Sequence, residues 1–174
     1  MTINENILEA SKRTKTIASQ LLEQKYILEI LSQFGKPLII WSYALDLMVD
    51  EDIDIMVQTD YPRESAIKAM NTFIEKETVQ KYEFGDFVKF PRIGRPQGYI
   101  VNLRIEYQNA KWEIEIWFLQ DIAIYRKQLH TYKSKINQEN TLKILSAKYE
   151  RKISGQTKHD RSSSEIYEEI LNIY

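Results

Sequence analysis

Leu38–Val57, LIIWSYALDLMVDEDIDIMV, is the stretch that decides this chain. An apolar run from Leu38 reaches Trp41 and Ser42, and after nine intervening residues Asp52 and Asp54 alternate with Ile53, Ile55 and Val57. Successive side chains of a strand point to opposite faces. A strand over Asp52–Val57 therefore sets two carboxylates on one face and anchors the other with isoleucine and valine. Paired carboxylates suit a hard divalent cation, which is what chemistry on a nucleoside triphosphate requires. A solvated edge strand explains the alternation alone equally well. An EF-hand does not: with Asp50, Asp52 and Asp54 as its first ligands, the loop needs Gly at Ile55 and Glu at Tyr61.

The rest of the chain bounds the reading. Its 174 residues suit one domain with a real core, and an apolar fraction of 43% with 28% charged residues is ordinary for a globular protein. A net charge of -1 gives no general attraction to nucleic acid or an anionic membrane. The absence of cysteine excludes disulfides, thiolate zinc sites and cysteine nucleophiles. The N-terminal MTINENILEASKRTK has no signal-peptide core and no run reaches membrane-spanning length, so a cytoplasmic location without membrane attachment is expected.

Working outward, Glu5 to Gln33 reads as one helix, since Leu21, Leu22, Leu28 and Leu31 recur at helical spacing with no Gly or Pro between. Gly35 and Pro37 end it and launch a strand over Leu38–Trp41, after which Ser42 is expected to cap a short helix. Pro62 opens a helix to about Lys76. Strands follow over Asp86–Phe90, Tyr99–Tyr107 and Lys111–Leu119, with turns at 92–98 and 108–110. Helices return over 121–133, 140–153 and 164–174, with a polar loop at 156–161. The pattern predicts an α+β fold, a mixed β-sheet flanked by helices. Residues 1–120 form the core with its N-terminal helix, and 121–174 a helical C-terminal portion packed on it within a single domain.

A second acidic strand strengthens the first. In Lys111–Leu119, Glu113 and Glu115 share a face opposed by Trp112, Ile114 and Ile116. If the two strands pair, three or four carboxylates crowd together and need a cation to offset their repulsion.

Ile40-Trp41-Ser42, the nine-residue spacer, Asp52-Ile53-Asp54-Ile55 and a later acid on an apolar strand together resemble the nucleotidyltransferase superfamily related to DNA polymerase β. SYALDLMVDEDIDI particularly resembles small bacterial members that include antibiotic nucleotidyltransferases. The likeness covers roughly Leu38 to Leu119. It implies a nucleotidyltransferase-like sheet in which Asp52 and Asp54 bind Mg2+ or Mn2+. Glu115 matches the third carboxylate, which shares in metal binding and acts as general base, and Glu113 fits that place by spacing too. Ser42 would meet the β- and γ-phosphates of a nucleoside triphosphate (NTP). The implied reaction moves a nucleoside monophosphate onto a hydroxyl of a small molecule, an RNA 3′ end or a protein, releasing pyrophosphate.

One position departs from the pattern. The glycine that precedes the family's serine is Trp41 here, and glycine lets backbone approach phosphate closely. The alternative is therefore a catalytically inactive relative that binds or regulates. A two-metal phosphodiesterase or nuclease is disfavoured by the Ser42-to-Asp52 spacing.

Between Arg126 and Arg161 stand ten Lys or Arg against three acids. Any one of them reads most simply as a solvated helix surface, yet as a set they suit an anionic ligand, with Lys143 and Lys148 within reach of a triphosphate. Arg92 and Arg95, in the hairpin loop, offer a further contact to substrate, although Gly94, Pro96 and Gly98 are explained by turn geometry alone. His130 and His159 have no zinc-type partners and read as surface residues. Trp112, Trp117 and Phe118 read as core. Oligomeric state and base preference are not legible.

Overall fold

The computed structural model describes residues 3–76, 79–156 and 160–173, with side chains from Glu5 onward. In chain order the elements are α1 (Ile3–Gln24), α2 (Ile27–Ser32), β1 (Lys36–Ile40), α3 (Trp41–Ala44), β2 (Asp52–Gln58), α4 (Pro62–Glu75), β3 (Lys81–Asp86), β4 (Tyr99–Tyr107), β5 (Ala110–Leu119), α5 (Ala123–Lys135), α6 (Gln138–Ile153) and α7 (Ser163–Leu171). The fold is α+β, as the sequence predicts.

The five strands form one sheet in the order β1-β2-β5-β4-β3. Among the described residues only the β2–β5 contact is parallel, so the sheet is mixed. Alternation sorts its side chains into two different faces. Ile53, Ile55 and Val57 of β2 join Ile114, Ile116 and Phe118 of β5 on the first, a wholly apolar face. It packs against Leu21 and Leu22 of α1, Ile27, Ile30 and Leu31 of α2, and Ala66, Ala69 and Phe73 of α4. The second face is divided. Its apolar half, Ile40, Met56, Ile100, Trp117 and Leu119, is covered by Leu129, Tyr132, Ile144, Leu145, Ile166 and Tyr167 of the C-terminal helices. Its polar half carries the acidic residues of β2 and β5.

Several boundaries differ from the sequence expectation, each for a local reason. The first helix is two helices, because Tyr26 takes a left-handed φ of 53°. That bend brings the apolar side chains of α1 and α2 onto the same sheet face, a tertiary gain no Gly or Pro announces. The strand expected over Asp86–Phe90 is instead Lys81–Asp86. Asp86 Oδ1 accepts from the backbone N–H of Val88 and Lys89 at 3.1 and 2.8 Å, which turns the chain where the strand was expected to begin. Strand β1 runs from Lys36 to Ile40, so Trp41 falls outside it. Gly35 makes that entry possible: a Cβ there would stand 2.5 Å from Gln58 O of the neighbouring strand.

The hairpin at Gln108 and Asn109, both with positive φ (49° and 61°), is a two-residue turn matched to strand twist. Asn137 and Asn140 form a reciprocal capping box at the start of α6, as Ser162 and Glu165 do for α7. His130 is exposed, whereas Lys158 and His159 of the expected polar loop fall outside the described residues. Among the described residues, no helix is long and apolar enough to cross a membrane.

Candidate active site

The parallel register of β2 on β5 sets Asp52 opposite Glu113 and Asp54 opposite Glu115. Facing residues on adjacent strands hold their Cβ atoms about 5 Å apart, so all four carboxylates occupy one patch of the second sheet face. On the far side of β5, Asn102 and Arg104 of β4 stand opposite Glu115 and Glu113. On the near side Ile40 pairs with Asp54, and the chain passes directly from Ile40 into Trp41 and Ser42.

Each glutamate has an arginine partner. Arg104 Nη2 donates to Glu113 Oε1 at 2.5 Å, and Arg95 Nη1 reaches Glu115 Oε2 at 3.4 Å. Glu113 is exposed and Glu115 half-buried. Arg95 comes from the loop joining β3 to β4.

Ser42 does not cap α3. The cap position is Ile40, and Ser42 is the second residue of the helix. Trp41 opens that turn with φ 52°, which rotates the Ser42 hydroxyl inward toward α6 and α7. Lys148 Nζ of α6 donates to Ser42 Oγ at 2.8 Å and to Leu47 O at 2.7 Å, and stands 3.3 Å from the Tyr167 hydroxyl. Ser42 Oγ and the Tyr167 hydroxyl of α7 are 3.0 Å apart. Lys148 is 0% exposed and Ser42 4%. Burying an ammonium without partners costs several kcal/mol, and these oxygens offset that cost.

Burial pushes the Tyr167 hydroxyl pKa well up; the nearby Asp52 and Asp54 carboxylates add to the rise, and the Ser42 hydrogen bond opposes it. The aspartates, Ser42, Tyr167 and Lys148 thus share one neighbourhood. Tyr132 of α5 completes it, with its ring 5.7 Å from those of Trp41 and Tyr167. A non-glycine residue in the left-handed region costs roughly 1–2 kcal/mol. The Trp41–Tyr132 contact, of a kind contributing about 0.5–1.5 kcal/mol, is of the same order and offsets most of it.

The basic tract of the C-terminal portion is largely engaged within the chain. Arg151 donates to Asp50 Oδ2 at 2.6 Å, and Lys152 to Val49 O at 2.9 Å and Glu51 Oε2 at 3.1 Å. With Lys148 on Leu47 O, α6 fastens the whole connection between α3 and β2. Lys135 donates to Asn172 O near the end of α7. Lys143 is exposed and pairs with Glu139 at 2.6 Å on its own helix, so it is not brought to the carboxylate patch.

Sequence reasoning missed Tyr167, Tyr132 and Arg104, and offered Arg95 as a substrate contact without its pairing to Glu115. The signal for Tyr167 is a polar-tipped side chain on the apolar stripe of Ile166 and Ile170. The arginines carried none, since cross-strand register alone sets them beside the glutamates.

Among the described residues, no three His, Cys, Asp or Glu side chains converge as a ready cage for a metal ion. The donor chemistry nonetheless fits one: an all-carboxylate set suits Mg2+ or Mn2+. Glu115 is engaged by Arg95 at 3.4 Å. That pair is long and solvent-accessible, worth about 0–1 kcal/mol, so it opposes cation binding by Glu115 only weakly.

Two solved structures share this fold. One is a cytoplasmic RNA terminal U-transferase, with a TM-score of 0.53 and 16% identity over 86% of this chain and 45% of that one. The other is the Cid1 poly(U) polymerase in a structure with Mg and 3′-dATP bound, with a TM-score of 0.50 and 15% identity over 85% of this chain and 47% of that one. This chain therefore spans less than half the length of either. No family model and no curated protein matches the sequence.

Proposed function

On the nucleotidyltransferase fold, we propose that this chain transfers a nucleoside monophosphate from an NTP to a hydroxyl acceptor, dependent on Mg2+ or Mn2+. The observation that carries the reading is the β2–β5 register, which sets Asp52 and Asp54 beside Glu113 and Glu115 on one face. The likeness to an RNA terminal U-transferase and a poly(U) polymerase supports it at the level of fold.

In this reading Asp52, Asp54 and Glu115 hold the divalent cation. When bound, the metal neutralises triphosphate charge and aligns the reactants. Glu115 accepts the proton of the attacking hydroxyl, released from Arg95 for that purpose. The acceptor oxygen bonds to the α-phosphorus, and the bond from that phosphorus to the pyrophosphate oxygen breaks. Lys148 holds Ser42 and Leu47, and so fixes the turn bearing the strained Trp41 beside the carboxylates. The C-terminal helices exclude water from that side of the site. Glu113, exposed and bound to Arg104, serves as a neighbour rather than as the base.

Binding without turnover is the second reading, and one observation favours it: Ser42 Oγ is already engaged by Lys148 and Tyr167, with the Trp41 indole beside it. Radiolabel transfer from each of the four ribo-NTPs onto RNA, protein and small-molecule hydroxyls, with Mg2+ or Mn2+, separates the two. Label transfer that disappears in Asp52→Asn and Asp54→Asn supports the enzyme. NTP binding with no transfer to any acceptor supports the second reading, and undiminished transfer by Asp54→Asn refutes the site.

A further inference from the structure

We propose that the open edge of the sheet is a dimer interface, in which β3 pairs antiparallel with β3 of a second copy of this chain about a two-fold axis through Tyr82. In the sheet order β3 is terminal, and among the described residues no strand lies against its outer side. Phe87 N–H donates to Gly98 O at 2.9 Å, continuing the β3–β4 register. In an antiparallel pair, residues that bond to the neighbouring strand alternate with residues that do not. Lys81, Glu83 and Gly85 therefore spend their backbone groups on β4, whereas Tyr82 and Phe84 turn theirs to the open side. Such a row of N–H and C=O groups is a template for another strand.

Proteins that stay apart guard such an edge with proline, uncompensated charge or a covering element. Lys81–Asp86 contains no proline, and its lysine is answered by Glu83 at 2.7 Å. Tyr82 and Phe84 lie on the first sheet face, opposite Leu103 and Val101. There α4 packs over β4 and β5, and Phe84 leans on Tyr99 with ring centres 6.1 Å apart. Tyr82 is still 47% exposed and Phe84 36%. The edge thus offers both free backbone groups and half-covered aromatic rings.

The order of charge along the strand selects the occupant. Lys81-Tyr82-Glu83 reads cation, aromatic, anion. Reversed about Tyr82, it sets Lys81 opposite the partner's Glu83, Glu83 opposite the partner's Lys81, and Tyr82 opposite the partner's Tyr82. Directly opposed side chains share a face, so two ion pairs form on the second sheet face and an aromatic pair on the first. Because Tyr82 turns its backbone groups outward, the two tyrosines also exchange both N–H to C=O bonds. Other registers lose this match: a two-fold through Glu83 opposes two carboxylates, and one through Phe84 sets Glu83 against the partner's Gly85. A foreign strand gains the backbone bonds without the crossed ion pairs. The carboxylate patch lies inward of β4, on β2 and β5, so the pairing rests nothing on the proposed transfer.

The test is sedimentation velocity of the full chain over a concentration series, in which the wild type is expected to pass from monomer to dimer. Lys81→Glu and Glu83→Lys, both at exposed positions, each turn the two attractive pairs into repulsive ones. Each is expected to dimerise about tenfold or more weakly. The double variant Lys81→Glu/Glu83→Lys restores opposite charges across the axis and is expected to recover dimerisation. The two single variants mixed are expected to form a heterodimer at concentrations where neither dimerises alone, which requires the crossed pairs of this register. Tyr82→Pro removes an outward N–H and no bond to β4, so it is expected to be monomeric with an unchanged circular dichroism spectrum. A wild type monomeric at its highest soluble concentration, a dimer unweakened in both single variants, or a mixture without heterodimer overturns the proposal.

Discussion

Lys148 Nζ donates to Ser42 Oγ at 2.8 Å across 106 positions of sequence, with both groups sealed from solvent. This bond ties the last third of the chain to the turn that follows β1. It makes the geometry beside Asp54 depend on α6 being docked.

Replacing Lys148 by Met keeps the volume and removes the donor, leaving Leu47 O with a buried, unanswered lone pair. An unsatisfied buried polar group costs about 1–3 kcal/mol. Lys148→Met is expected to lower the urea midpoint accordingly with an unchanged m-value. An unshifted midpoint contradicts a stabilising role for the bond.

Glu115→Gln and Glu113→Gln separate the two candidates for the third carboxylate. A general base contributes about 10²–10⁴-fold, so Glu115→Gln should reduce label transfer by at least about 10²-fold. Glu113→Gln, which only loosens an exposed pair with Arg104, should stay within a few fold. The opposite ranking of rates moves the base to Glu113.

At Trp41 the left-handed φ and the ring contribute separately, and two variants divide them. Trp41→Ala loses the ring and keeps the strain, whereas Trp41→Gly loses both. Trp41→Gly should therefore be the more stable of the two by about 1 kcal/mol. Equal thermal midpoints would mean that Trp41 is not strained. A rise in triphosphate affinity in Trp41→Gly alone would identify the indole as an obstruction.

Alkaline stability reports the aromatic cluster. Burial, followed by the Glu168 carboxylate, pushes the Tyr132 hydroxyl up to about 12, and Tyr167 shifts in the same direction. A raised folded pKa means that the unfolded chain gives up its proton first. The contribution is complete below pH 10 and is lost as the pH climbs from about 10 to 12. Phenolate absorbance should show these two tyrosines ionising late, together with unfolding. In Tyr167→Phe one late proton should vanish, and an unaltered late step would place the shift elsewhere.

The carboxylate patch was largely legible in the sequence. Period-two alternation sends Asp52 with Asp54, and Glu113 with Glu115, to shared faces whatever the surroundings, because the pleat is a property of the backbone. Ser42 was found as a residue and misread as a cap, since the turn depends on Trp41 adopting a φ that tryptophan rarely takes. The basic tract was counted correctly and its partners were not, because a charge count does not say what faces it. Arg151 and Lys152 meet Asp50, Val49 and Glu51, about a hundred positions away.

By itself, the sequence determined the α+β class, the identity of the acidic strands and the partition of each strand into an apolar and a polar side. These follow from local periodicity, which needs no partner. Tertiary structure alone decided the β2–β5 register, the arginine held by each glutamate, the break at Tyr26 and the sealing of Lys148 against Ser42 and Tyr167. Each is a contact between segments far apart in the chain, chosen by packing of the whole core, and no local pattern encodes which distant group arrives.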